Sequence, residues 1–75
     1  MQITMDRLCL DTKAQVVRLD TGEKLTRRLR DFGFVPGTVV SSRYRTPGGS
    51  VTAVELRGAV IALRTRELKK ILVRC

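Results

Sequence analysis

The spacing of apolar residues changes several times along this chain, and each change marks an element. Ala14–Leu19 (AQVVRL) is a short apolar run closed by DTGE, which reads as a strand. From Glu23 the period lengthens. Leu25, Leu29 and Phe32 stand at i, i+4 and i+7, a narrow stripe at about 100° per residue, so Glu23–Phe32 is predicted to be helical. Asp20 or Thr21 is placed to cap this helix, and Glu23 in its first turn suits the helix dipole. Lys24, Arg27, Arg28 and Arg30 fall off the stripe and cover the opposite face with positive charge. A helix this short takes its stability from the surface it packs on.

The stretch LRDFGFVPGTVV, Leu29 to Val40, then turns helix into strand. Gly33 can adopt the left-handed conformation that closes a helix, with Phe34 behind it touching Leu29 as a Schellman end requires. Val35-Pro36-Gly37-Thr38 reads as a type II turn, because Pro presets φ at the second position and Gly supplies φ > 0 at the third. Leu29, Gly33 and Gly37 are therefore turn-forming residues. Phe34 is expected to pack inward, but it also belongs to an apolar group, Phe34, Val35 and Pro36, that could rim a docking groove beside the helix end.

Beyond the turn the pattern is strand-like. Thr38–Thr46 is a strand, Pro47-Gly48-Gly49 a hairpin turn, Ser50–Arg57 an alternating second strand, and Ala59–Arg64 a third beyond the break at Gly58. Thr65–Leu68 suits a single helical turn capped by Thr65, and Lys69–Arg74 a last strand. Five short strands with one helix inserted after the first predict a mainly β protein, a small closed barrel whose closure removes exposed strand edges.

Seventy-five residues make one domain, residues 1–75, too small for a deep enzymatic pocket. The formal charge of +8 suits a polyanionic partner: nucleic acid, an anionic membrane surface, or an acidic patch on another protein. It also serves solubility. With no histidine and no CxxC, a zinc site of the Cys/His kind is not expected, and divalent metal binding should be weak and incidental. Cys9 and Cys75 are expected to be free thiols of a reducing cytosol. Met1–Leu10 lacks the apolar core of a signal peptide, and no stretch reaches the roughly 20 apolar residues of a membrane span, so a soluble, cytoplasmic protein is expected.

Catalysis finds little to use. The carboxylates Asp6, Asp11, Asp20, Glu23, Asp31, Glu55 and Glu67 are scattered, and no base is offered to Cys9 as a nucleophile. Gly33 and Gly37 are not followed by the Lys-Ser/Thr of a phosphate loop. A nucleic-acid interface would use the basic helix and Tyr44 between Arg43 and Arg45, a thin supply of aromatics for stacking.

RRLRDFGFVPGTVV, a Pro-Gly hairpin, VELRG and IALRTRELKKILV together resemble the ferrous iron transport protein A (FeoA) family, from about Ala14 to Val73. Leu29, Asp31, Gly33, Pro36 and Gly37 carry the strongest match, followed by Gly58, Ala62, Leu63, Arg64, Ile71 and Val73. The sequence departs from the family pattern at LDTKAQV, where a glycine is common, and at TPGGSV. The resemblance implies an SH3-like β-barrel and a cytosolic accessory that docks on the GTPase region of FeoB, the membrane ferrous iron permease, at the inner face of the membrane. On that reading Phe34, Val35 and Pro36 make the apolar contact and Arg27, Arg28 and Arg30 steer the approach. A basic nucleic-acid-binding barrel is the alternative.

Overall fold

The computed structural model describes all residues, Met1–Cys75. Its strands are β1 (Gln2–Thr4), β2 (Lys13–Leu19), β3 (Val39–Arg45), β4 (Val51–Leu56), β5 (Ala59–Arg64) and β6 (Ile71–Arg74). Helix α1 (Gly22–Asp31) joins β2 to β3, and the single turn α2 (Thr65–Leu68) joins β5 to β6. The predicted elements are present to within two residues at each end.

The sheet is antiparallel, with six strands in the order β1-β6-β2-β3-β4-β5. This corrects the expected five-stranded closed barrel in two respects. The additional strand is β1, whose three residues pair Gln2, Ile3 and Thr4 with Arg74, Val73 and Leu72, so α1 follows the second strand and not the first. Closure also fails, because no ladder joins the edge strands β1 and β5. The physical reason is length: β1 ends after three residues in a 3-10 turn, Met5–Arg7, and offers β5 nothing to pair with. Register shifts between Val16 and Arg18 and between Ser42 and Tyr44 bend the sheet around its core instead.

The core gathers 13 buried apolar residues, among them Met5 and Leu8 from the N-terminal turn, Leu29 from α1, Phe34, and Val40, Val54, Leu63, Ile71 and Val73 from the strands. Alternation selects them: in β4, Thr52, Val54 and Leu56 are buried while Val51, Ala53 and Glu55 are half-exposed. Phe34 is the largest fully enclosed side chain, at 0% exposure.

The helix end explains how Phe34 arrives there. Phe32 is the C-cap, and Gly33 follows at φ 87°. The Phe34 N–H donates to the Leu29 carbonyl at 2.9 Å and the Gly33 N–H to the Arg30 carbonyl at 2.9 Å, the paired bonds of a Schellman motif. Its hydrophobic contact, Leu29 with Phe34, is buried. The type II turn follows, with Thr38 N–H donating to Val35 C=O at 3.0 Å and Gly37 at φ 92°. Gly37 N–H to Val16 C=O at 2.7 Å and Val16 N–H to Thr38 C=O at 2.9 Å tie this turn to β2.

Two capping expectations need correction. Thr21 occupies the N-cap of α1 but makes no cap bond; its hydroxyl pairs with that of Thr26 at 2.6 Å, and Asp20 pairs with Arg18. Thr65 does not cap α2, because its hydroxyl donates to the Gly49 carbonyl; Glu67 accepts from the Arg64 N–H at 2.8 Å and caps in its place.

A Cβ at residue 33 would lie 3.1 Å from the Arg57 side chain. Gly33→Ala is expected to cost roughly 1–2 kcal/mol from the left-handed backbone alone. Phe34→Ala is expected to cost roughly 3–5 kcal/mol. Urea titration checks both, and a loss for Phe34→Ala no larger than that for Gly33→Ala would contradict this account of the core.

Candidate functional site

Two surfaces flank α1. The first is the turn singled out by sequence. Its middle residues, Val35 and Pro36, stay at the surface because the Schellman end has already turned Phe34 inward: Val35 is half-buried and Pro36 exposed. They line a shallow cleft of about 260 Å³ with Val17 and Leu19 of β2, and Arg18 and Arg30 stand at its sides. Phe34 must be removed from the expected contact group. Enclosed on every side, it supports Val35 and Pro36 from beneath and can touch no partner.

The helix arginines are all exposed but not equivalent. Arg27 reaches back one turn to Glu23 at 3.1 Å. Arg28 and Arg30 form no ion pair, so their charge is available to a partner. The pair Arg27–Glu23 is largely solvated and contributes only a few tenths of a kcal/mol.

The second surface was not anticipated. Leu25, Leu29 and Phe32 do form a stripe, but only Leu29 is fully buried and Phe32 is 49% exposed. The C-cap position turns the Phe32 ring past the end of the packed face. These residues form one wall of a cleft of about 290 Å³ whose other wall is Val60, Ile61 and Ala62 of β5, with Arg28 at the rim. Val60 is 61% exposed. A signal existed in the sequence: Val60-Ile61-Ala62-Leu63 is an unbroken apolar run, whereas a strand with one solvated face alternates.

The Arg43-Tyr44-Arg45 segment is arranged differently from a nucleic-acid platform. Tyr44 is exposed, but Arg43 lies between Asp11 at 3.3 Å and Glu55 at 3.7 Å. Arg45 donates to the Leu8 carbonyl at 2.6 Å and anchors the N-terminal turn. Both arginines are engaged within the molecule. Cys9 and Cys75 are exposed, unpaired thiols. No three cysteine, aspartate or glutamate side chains converge to hold a metal ion, and no helix is long and apolar enough to cross a membrane.

A small, open antiparallel β-sheet with one inserted helix is an SH3-like fold, and here it leaves an apolar turn and a basic helix flank at the surface. A FeoA domain model matches residues 3–75, and the chain belongs to the FeoA family, small accessory proteins tied to ferrous iron transport. The FeoA protein of Chlorobium tepidum superposes with a TM-score of 0.92 at 25% identity, over 96% of this chain and 69% of that one. The zinc-complexed FeoA of Stenotrophomonas maltophilia, described as a prokaryotic SH3 domain protein, gives 0.82 at 33% identity over 95% and 88%. IdeR of T. acidophilum gives 0.83 at 19% identity, covering 97% of this chain and 33% of that one, a likeness of fold alone. A comparison with curated protein sequences yields no match.

The two walls of α1 should separate by mutation. Leu29→Ala is expected to cost about 3 kcal/mol because it opens a cavity in the core. Phe32→Ala should cost less than half as much, since half of its ring is already in water. Equal shifts in urea midpoint would mean that Phe32 is a core residue.

Proposed function

We propose that this protein docks on the cytosolic GTPase region of a FeoB-type permease and regulates or assembles ferrous iron uptake there. Membership of a family of ferrous iron transport accessories supports the reading. The observation that carries it is the Val35-Pro36 turn: an apolar surface held rigidly by main-chain bonds on both sides, with the unpaired Arg30 next to it. A surface fixed before contact loses little conformational entropy on binding.

Each group has a distinct role on this reading. Val35 and Pro36, with Val17 and Leu19, supply the apolar contact. Arg28 and Arg30 attract an acidic rim and raise the rate of encounter more than the final affinity. Arg27 contributes less, because Glu23 already satisfies much of its field. Recruitment to the inner face of the membrane then comes from the permease and needs no anchor in this chain.

Val35→Asp should leave the fold intact, because the side chain is half in water, and should weaken binding to the purified GTPase region by at least about tenfold, or about 1.4 kcal/mol. Calorimetry with a circular-dichroism control reads both. Native folding together with undiminished affinity would exclude the turn as the contact. Arg30→Glu should slow association and flatten its salt dependence while leaving dissociation nearly unchanged, as surface plasmon resonance at several ionic strengths would show.

A further inference from the structure

The edge of β5 carries an inference independent of the permease reading. Strand β5 ends the sheet, and nothing pairs with its outer side. Its hairpin with β4 is joined by the two residues Arg57 and Gly58, both at positive φ, and Leu56 faces Ala59 across it. In such a tight hairpin the flanking pair exchanges both hydrogen bonds, and the bonded pairs recur at every second residue. Ala59, Ile61 and Leu63 therefore bond to β4, while the N–H and C=O groups of Val60 and Ala62 point away from the sheet. Arg64 has the same parity, and its N–H does leave the sheet, to the Glu67 carboxylate at 2.8 Å. That cap ends the free edge on one side, and the hairpin ends it on the other.

Edges are usually guarded by a charge, a proline or a bulge. None guards this one between Val60 and Ala62: the β4–β5 register is unbroken, and the outward residues are apolar. Facing the edge across the 290 Å³ cleft is the apolar stripe of α1. An added strand would find main-chain partners on one side and an apolar wall on the other. The charge around the cleft selects its composition. Arg28 stands at the rim, Arg57 and Arg64 at the two ends of β5, and none of the three is in an ion pair. No carboxylate lines the cleft.

We infer that the open edge of β5 and the facing stripe of α1 receive a short extended segment of a partner protein, in which apolar residues alternate with acidic ones, as a seventh strand of the sheet. Main-chain bonds to Val60 and Ala62 supply affinity, alternate apolar side chains enter the cleft, and carboxylates meet Arg28, Arg57 and Arg64. A second copy of this chain is a poorer occupant. Antiparallel pairing of two β5 strands would bring Arg64 of one beside the Arg57 turn of the other, with like charges opposed.

The test uses a fluorescent peptide of about seven residues alternating valine and glutamate, titrated by anisotropy into the full chain. Saturable binding is expected, with amide shifts centred on Ala59–Arg64 in heteronuclear NMR. Methylating alternate peptide nitrogens preserves charge and side chains but removes the edge bonds, and should weaken binding roughly tenfold or more. Ala62→Pro should do the same, since proline is tolerated on an edge strand whose N–H faces outward. If that variant does not fold, the methylated peptide on the unaltered protein still decides. Equal affinity for the methylated peptide, or for one alternating valine and lysine, would overturn the proposal. So would sedimentation showing that the chain dimerises through β5 and that the peptide does not compete.

Discussion

The closure of α1 at Gly33 is the constraint on which the other features rest. In three residues the chain must stop a helix, reverse, and insert a phenylalanine into the core. Only a backbone at positive φ allows the N–H groups of residues 33 and 34 to return to the last helical carbonyls, and glycine adopts it without a Cβ penalty. Once Phe34 is enclosed beside Leu29, the next two residues have no room inside and must emerge. The type II turn and the two bonds to Val16 then hold them against β2. Val35 and Pro36 are surface residues because Phe34 is not.

The same closure sets the second surface. It fixes α1 in direction, so the stripe meets the edge of β5 across a gap instead of packing flush against it. A domain of this size has few apolar side chains to spend, and 13 fully buried ones leave Leu25, Ile61, Phe32 and Val60 only partly covered. An open sheet has a consequence as well. A closed barrel has no unpaired main-chain groups to offer, whereas this fold exposes a short length of them next to apolar surface.

Charge is distributed with a division of labour that composition conceals. The excess of +8 is spread over 15 basic residues, but several are committed internally. Arg45 holds the N-terminal turn, Arg43 bridges two carboxylates, Arg18 pairs with Asp20 and Arg27 with Glu23. The other eleven are in no ion pair, among them Arg28 and Arg30 of the helix, Arg57 and Arg64 at the ends of β5, and Arg66, Lys69, Lys70 and Arg74 beyond it. A nucleic-acid strand calls for stacking rings among such cations, and the exposed Tyr44 stands instead between two arginines already engaged within the molecule.

Local chemistry was enough to read most elements. Period, glycine and proline specified α1, the Schellman end, both Pro-Gly turns and five of the strands, because each of those signals acts over a few residues. The turn at Leu29–Gly37, taken together with the Pro-Gly hairpin, VELRG and IALRTRELKKILV, was specific enough to indicate the family. Strand β1 was illegible: Gln2–Thr4 has no pattern of its own and exists only because β6, some seventy residues away, offers a ladder. Closure was equally beyond reach, since whether two edges meet depends on the summed twist and bulges of every strand between them. The inward path of Phe34 was legible from its place behind Gly33, but its cost to the contact surface was not. The β5 cleft required α1 and β5 to be set side by side, a relation between distant segments that only the folded molecule contains.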